Sequence, residues 1–350
     1  MLISIVVPVF QPEQNLEEIV LNLKNQVLPT GCKIEILIVD GEDLDSTKDF
    51  CLQHKLKYIV NKAQDPVTSR YIGFELASGD LVCFIDQDER FYSNSAIELR
   101  INSFLKHRNL VVLFPTGYEI GSYMDTPNIY SSIFGDPFNQ FFYKLPNDGN
   151  RAKLVSRKLN LIHNEGVYLN SNQIDKPNSV LLEFGNMGST VDKTRLKKIL
   201  DIEINASDIP NLFYLLFLNL DTVGILKNDL IIHHSSQSWK TVRKKIKWRI
   251  QNNIYDDNTS INSTSLSHKY RSKYTADLAG LHKRVLRVKK IWFVILVFIP
   301  IWPIVSSLKL VVNFRRIQFF YVILLNYYLV LTYGILKSRL VLNKILKKDF

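Results

Sequence analysis

The chain has 350 residues, 46% of them hydrophobic, a formal net charge of +11 and three cysteines. That length accommodates about two folded units, and an odd, small number of cysteines excludes a disulfide scaffold. The cationic excess fits an anionic partner, nucleic acid or a membrane surface, and no nucleic-acid motif accompanies it.

In chain order, the apolar residues 3–10 predict a first strand ending in a Pro-containing loop, and residues 16–26 carry helical spacing. Residues 34–39 predict a second buried strand ending on Asp40, and Asp45-Ser46-Thr47 opens a helix. A short strand at 57–60, a helix around 68–77 and a buried strand at 81–85 follow, the last running into Asp86-Gln87-Asp88. Strands alternating with helices predict an α/β fold with a mostly parallel sheet, whose ligands bind at the carboxyl ends of the strands. Side-chain alternation along the last strand is expected to turn Asp86 and Asp88 to one face, an oxygen-rich pair suited to a divalent metal, Mn²⁺ or Mg²⁺. Asp43-Leu44-Asp45 repeats the pattern in what reads as a loop.

Four blocks together resemble the inverting nucleotide-sugar glycosyltransferases of family 2, whose fold is called GT-A. They are Val7-Pro8-Val9-Phe10, Ile38-Val39-Asp40 with Asp45-Ser46-Thr47, Ser69-Arg70-x-x-Gly73 with Ala77-Ser78-Gly79-Asp80, and Phe84-Ile85-Asp86-Gln87-Asp88. The resemblance implies a GT-A (Rossmann-like) domain with a nucleotide-diphosphate-sugar donor held by Pro8, Phe10, Asp40, Arg70 and Asp86. It also implies a divalent metal at Asp88, with Asp86 either on the ribose or on the ion through water. The family commonly has a second Asp followed by Gly-Ser after the first, where this chain has Gly41-Glu42-Asp43.

The later half resembles the family's acceptor side. Gly185-Asn186-Met187-Gly188-Ser189 precedes Asp208, an acid at a helix start and the candidate catalytic base for the acceptor hydroxyl, with Asp201, Glu203 and Asp192 as substitutes. A plain helix cap is the competing reading of Asp208. His233 and His234 end the last strand of this region, and His233 is favoured as a metal or diphosphate contact. Residues 115–180 mix Gly, Pro, Asn and aromatics without periodicity and read as a loop-rich acceptor wall.

Residues 291–307 and 317–336 are almost entirely apolar, with lengths near those that cross a bilayer. Asn313-Phe314-Arg315-Arg316 makes their connection short, and Pro300 and Pro303 predict that the first arm kinks, re-enters or lies in the interface. Lys283, Arg284, Arg287, Lys289 and Lys290 before the hairpin, and Lys337, Arg339, Lys344, Lys347 and Lys348 after it, predict both ends and the catalytic domain on the cytoplasmic side. The basic run 239–249 reads as a membrane-surface element. The expected organisation is a GT-A domain at 1–265 (donor half 1–114, acceptor half 115–250), a basic linker at 266–290, two membrane helices at 291–336 and a basic tail at 337–350. The amino terminus does not read as a signal peptide. The expected activity is transfer of a sugar to a lipid-linked or glycan acceptor. A polyprenyl-phosphate sugar synthase and a non-catalytic membrane scaffold are the alternatives.

Overall fold

The structure, a computed structural model, describes residues 1–10, 16–62, 66–143, 148–150, 153–154, 166–169, 188–199, 222–234, 238–255 and 288–346. Asp208, Asp201, Glu203 and the Gly185-Asn186 pair lie outside the described residues. The chain divides into two compact units, Met1–Ile120 with Asn147–His234, and Gly121–Pro146 with Ser235–Phe350.

The first unit is built on an eight-stranded sheet in the order β3-β2-β1-β4-β9-β6-β10-β8. Its first strands are β1 (Leu2–Val9), β2 (Lys33–Asp40), β3 (Lys57–Val60) and β4 (Leu81–Phe84), all parallel to one another. Beyond them, β6 (Leu110–Phe114) and β10 (Thr222–Leu226) also pair in parallel, while β9 (Thr190–Asp192) and β8 (Gly166–Leu169) run antiparallel to their neighbours. A mostly parallel sheet requires apolar side chains on both faces, and β1 supplies them. Ile3, Ile5, Val7 and Val9 join one cluster with α1 (Leu16–Lys24) and α4 (Ala96–Lys106). Val6 meets the opposite helix, α3 (Pro66–Leu76), at Gly73, where an added Cβ would lie 2.2 Å from the Val6 Cγ1. Gly73 is therefore what lets α3 lie close on β1. α2 (Asp45–His54) links β2 to β3.

At the amino end of β4 the Ala77-Ser78-Gly79-Asp80 block is structural. The Gly79 N–H donates to the Ser4 hydroxyl at 2.8 Å, the Leu2 N–H donates to Asp80 at 2.9 Å, and a Cβ on Gly79 would meet the Ser4 nitrogen at 2.7 Å. At the other end of β4 a second, three-stranded sheet of order β5-β11-β7 forms from β5 (Glu89–Phe91), β7 (Gly117–Tyr118) and β11 (Leu230–His233).

The second unit is helical: α5 (Thr126–Ile133), α6 (Pro137–Tyr143), α8 (Trp239–Tyr255), α9 (Val288–Phe298), α10 (Ile301–Phe314) and α11 (Tyr321–Leu346), with α7 (Lys193–Ile199) belonging to the first unit. Residues 126–143, expected as loop, are largely two helices that pack with the carboxyl-terminal ones. Phe138 and Phe141 of α6 sit against Phe293 of α9, at ring separations of 5.5 and 5.4 Å. The expected kink is present: α9 and α10 meet at 87°. Ile317–Asn343 is long and apolar enough to cross a membrane.

Candidate active site

The parallel register carries the ends of β1, β2 and β4 to one edge, since Val9 pairs with Asp40 and Val6 with Phe84. The predicted donor-side residues stand along this edge. Pro8 is buried within β1, and Phe10 is half exposed just beyond it. The Phe10 N–H donates to the Gln87 Oε1 at 2.7 Å, and the Gln87 Nε2 donates back to the Phe10 carbonyl at 2.9 Å. Gln87, the unassigned middle of the acidic triplet, thus ties the loop after β1 to the loop after β4.

Asp40 is fully buried at the end of β2 and organises its own loop. It accepts the N–H groups of Glu42 at 2.8 Å and Leu44 at 3.0 Å, and the Tyr58 hydroxyl at 3.2 Å. Burial and the neighbouring Asp40 charge push the Tyr58 phenol well above its ordinary range.

The strand geometry expected for Asp86 and Asp88 does not hold, because β4 stops at Phe84 and the chain turns at residues 87 and 88. The two carboxylates have different partners. Arg70, brought in by the close seating of α3, donates through Nη2 to both Asp86 oxygens. Among the described residues its Nε is buried without a hydrogen-bond partner, and an orphaned guanidinium donor marks a position where an anion gains most. Asp88 instead lies 3.3 Å from the Nε2 of His233, and its carbonyl accepts the His234 N–H at 2.8 Å. Of the two adjacent histidines, His233 is the one whose ring faces the triplet.

Two residues without an expected role complete the cluster. Glu89 pairs directly with His233 across β5 and β11, and Tyr118 pairs with Ile231, which puts Tyr118 on the same face as His233. The Tyr118 ring stacks on His233 at 4.4 Å, and its hydroxyl donates to Glu89 at 2.9 Å. Glu89 also accepts the Asp86 N–H at 3.0 Å. Burial, then the charges of Asp86 and Asp88, raise the Glu89 carboxyl to about 7, against an opposing effect of His233. Behind the cluster, Arg100 of α4 forms a fully buried ion pair with Asp229 at 2.7 Å and donates to Thr190 at 3.1 Å, bracing β9 and the β10–β11 turn. Asp192 stands at the wrong end for a base. It pairs with Leu81 at the start of β4 and caps α7 through the Arg195 N–H, so about 15 Å of strand separates it from Asp86.

Among the described residues no three His, Cys, Asp or Glu side chains are grouped to hold a metal. Asp88 and His233 supply one hard oxygen donor and one imidazole in contact. That donor set fits a divalent cation which takes its remaining ligands from a substrate diphosphate, and not a cation caged by protein.

The chain is 26% identical over 152 residues to an uncharacterized glycosyltransferase of Rickettsia conorii, a match covering 41% of this chain and 24% of that protein. It is 33% identical over 113 residues to the poly(ribitol-phosphate) beta-glucosyltransferase of Bacillus spizizenii, covering 30% and 17%. The chain spans about a quarter or less of the length of these curated relatives. The crystal structure of S. aureus TarS 1-349 aligns with a TM-score of 0.45 and 14% identity, covering 79% of this chain and 72% of that one. Residues 4–161 match the family described as glycosyl transferase family 2. Arg70 on α3 and Asp86 and Asp88 after β4 all fall inside that match, so residues 4–161, a little under half of the chain, match glycosyltransferase family 2.

Proposed function

We propose that the chain transfers a sugar, with inversion, from a nucleotide-diphosphate-sugar to a lipid-linked or glycan acceptor at a membrane, using a divalent metal. The observation that carries this reading is the juxtaposition of the orphaned Arg70 Nε, the Arg70–Asp86 pair and the Asp88–His233 contact at one sheet edge. Breaking the bond between sugar and diphosphate leaves concentrated negative charge on the leaving group. A bound Mn²⁺ or Mg²⁺ supplies Lewis-acid stabilisation of that charge. Asp88 and His233 would hold it, and Asp86 keeps Arg70 extended beside the site as a fixed cation. Phe10 and Gln87 lock the adjoining loops, so the donor meets a preorganised edge. Asp208, outside the described residues, is the proposed base for the acceptor hydroxyl. The relative in Bacillus spizizenii, named for a polymeric ribitol-phosphate acceptor, supports an extended acceptor. Apolar helices in the second unit support a lipid-linked one, and their cationic flanks support a cytoplasmic catalytic domain.

Release of nucleoside diphosphate from a panel of nucleotide sugars, with Mn²⁺, Mg²⁺ or a chelator, tests the proposal. Turnover is expected with one donor class and only with metal. Full turnover in chelator would remove the metal from the reading, and no turnover with any donor and acceptor pair would favour the non-catalytic alternative.

A further inference from the structure

The carboxyl-terminal helices α9 to α11 expose apolar residues. On α10 the exposed stripe is Ile301, Ile304, Val305, Leu308 and Val312, while the packed face holds Pro303, Ser306, Ser307 and Leu310. On α11 Leu324, Leu331, Ile335 and Leu342 are exposed along one face, and Asn326 is buried on another, its amide donating to the Val322 carbonyl at 2.7 Å. α9 presents Ile291, Trp292, Ile295 and Phe298 outward. α9 and α11 also pack apolar residues inward, Phe293 and Val297 on the one and Val322, Leu325 and Val330 on the other, but α10, whose outer face is more apolar than its packed face, is made for lipid contact and not for water.

The same packing leaves no uncovered straight arm long enough to cross. α10 has 14 residues, about 21 Å of helix against roughly 30 Å of hydrocarbon, and α9 departs from it at 87°. α11 has the length, but its first part is covered. Trp239 of α8 stacks on Tyr321 at 4.9 Å, Arg243 lies 6.0 Å over the Tyr328 ring, and Val330 packs in a cluster that includes Phe138 and Phe141 of α6. Past that cover only 331–343 remains of the candidate span, about 20 Å. A crossing would also carry α8, with Lys240, Lys244 and Lys247 exposed along it, into hydrocarbon. At the turn between α10 and α11, Arg316 donates to the carbonyls of Met124 and Ser122, in the loop that leads into α5. The turn is thereby tied to the elements that must stay wet.

We infer that the helical hairpin is a one-leaflet anchor: α9 to α11 lie in the membrane interface, apolar stripes down, with α8 beside them on anionic headgroups. Charge commits the choice of surface, since α8 to α11 contain no Asp or Glu while Lys240, Lys244, Lys247 and Trp248 are exposed on α8. The inference rests on the membrane-bound reading of the chain and specifies how it is bound.

Two measurements on the full-length chain test it. In flotation, phosphatidylcholine vesicles containing phosphatidylglycerol should bind the protein at least about tenfold better than phosphatidylcholine alone. In cell membranes, Asn313→Cys at the end of α10, beside the turn, and Lys240→Cys on α8 should both react with an impermeant maleimide from the same face, here the face exposed in inside-out vesicles. Labelling of the turn position from the face opposite α8, or only after detergent, overturns the in-plane anchor while leaving membrane attachment standing. Failure to float, with a stable oligomer instead, assigns the apolar stripes to a second copy of the chain and overturns both. Neither measurement reads sugar transfer, so the donor-panel experiment fails or succeeds separately.

Discussion

Asp88 sits at a half-buried turn, and deleting its side chain removes the proposed metal donor without opening a cavity in the core. Asp88→Ala should lose at least about a hundredfold in metal-dependent turnover with an unchanged circular-dichroism melting curve; near-normal turnover would move the cation elsewhere. Glu89 makes a different prediction, about stability. Its folded carboxyl, near 7, is raised above the value of 4.5 it has unfolded, so the folded state holds the proton more tightly. The stabilisation is complete below about pH 4.5 and is lost as pH rises through about 7, by at most roughly 3 kcal/mol. Glu89→Gln keeps an uncharged partner for the Asp86 N–H and Tyr118. In metal-free protein its urea midpoint should match wild type at pH 5 and exceed it at pH 8, and parallel midpoints at both pH values would refute the raised carboxyl. Asp208→Asn tests the base: donor affinity by calorimetry should hold while turnover drops by about 10² or more. A loss below tenfold would leave Asp208 a helix cap.

At the scale of elements, the seat of α3 on β1 controls the site from a distance. A Cβ at Gly73 collides with a Val6 side chain that is itself fully buried, so Gly73→Val must lift the helix that carries Arg70. The expected result is a loss of about 1–3 kcal/mol in stability together with weaker donor binding, read by denaturant melts and calorimetry. Destabilisation with intact donor affinity would show that Arg70 does not need this seat. The strands and helices of this half were legible because long apolar runs alternate with helical spacing, and the runs before Asp40 and Asp86 lead to acids that the parallel register carries to one edge. The small β5-β11-β7 sheet was not legible. Its strands are two to four residues long, too short for a period, and its defining pair, Glu89 with His233, joins residues far apart in sequence. Glu89 stands next to Asp88, but a strand continued through it would turn it to the opposite face; the turn at 87 and 88 is what brings it in. α5 and α6 were missed for another reason. They are only eight and seven residues long, and α5 buries the polar Asn128, Ser131 and Ser132 along with Ile129 and Ile133, so the hydrophobic pattern is too short and too mixed to read.

For the whole molecule, the division of the chain matters more than its order, because Gly121–Pro146 belongs to the same compact unit as the carboxyl-terminal helices. A cut near residue 272 therefore does not free a finished domain. It strips α9 to α11 from α6 and α8, uncovering Phe138 and Phe141, which pack on Phe293 and Trp302, and Trp239, which stacks on Tyr321. Several aromatic side chains exposed together make a patch of the kind that drives association. The truncated chain should aggregate or require detergent, even though every apolar helix of the tail is gone. Sedimentation of the 1–272 chain with and without a mild detergent checks this. The full chain should remain with membranes through a high-salt wash, since salt screens the cations of α8 and hardly affects apolar burial. A monodisperse, detergent-free 1–272 protein would mean that α5, α6 and α8 make a closed surface without the tail, and the two-unit division would have to be redrawn at residue 272.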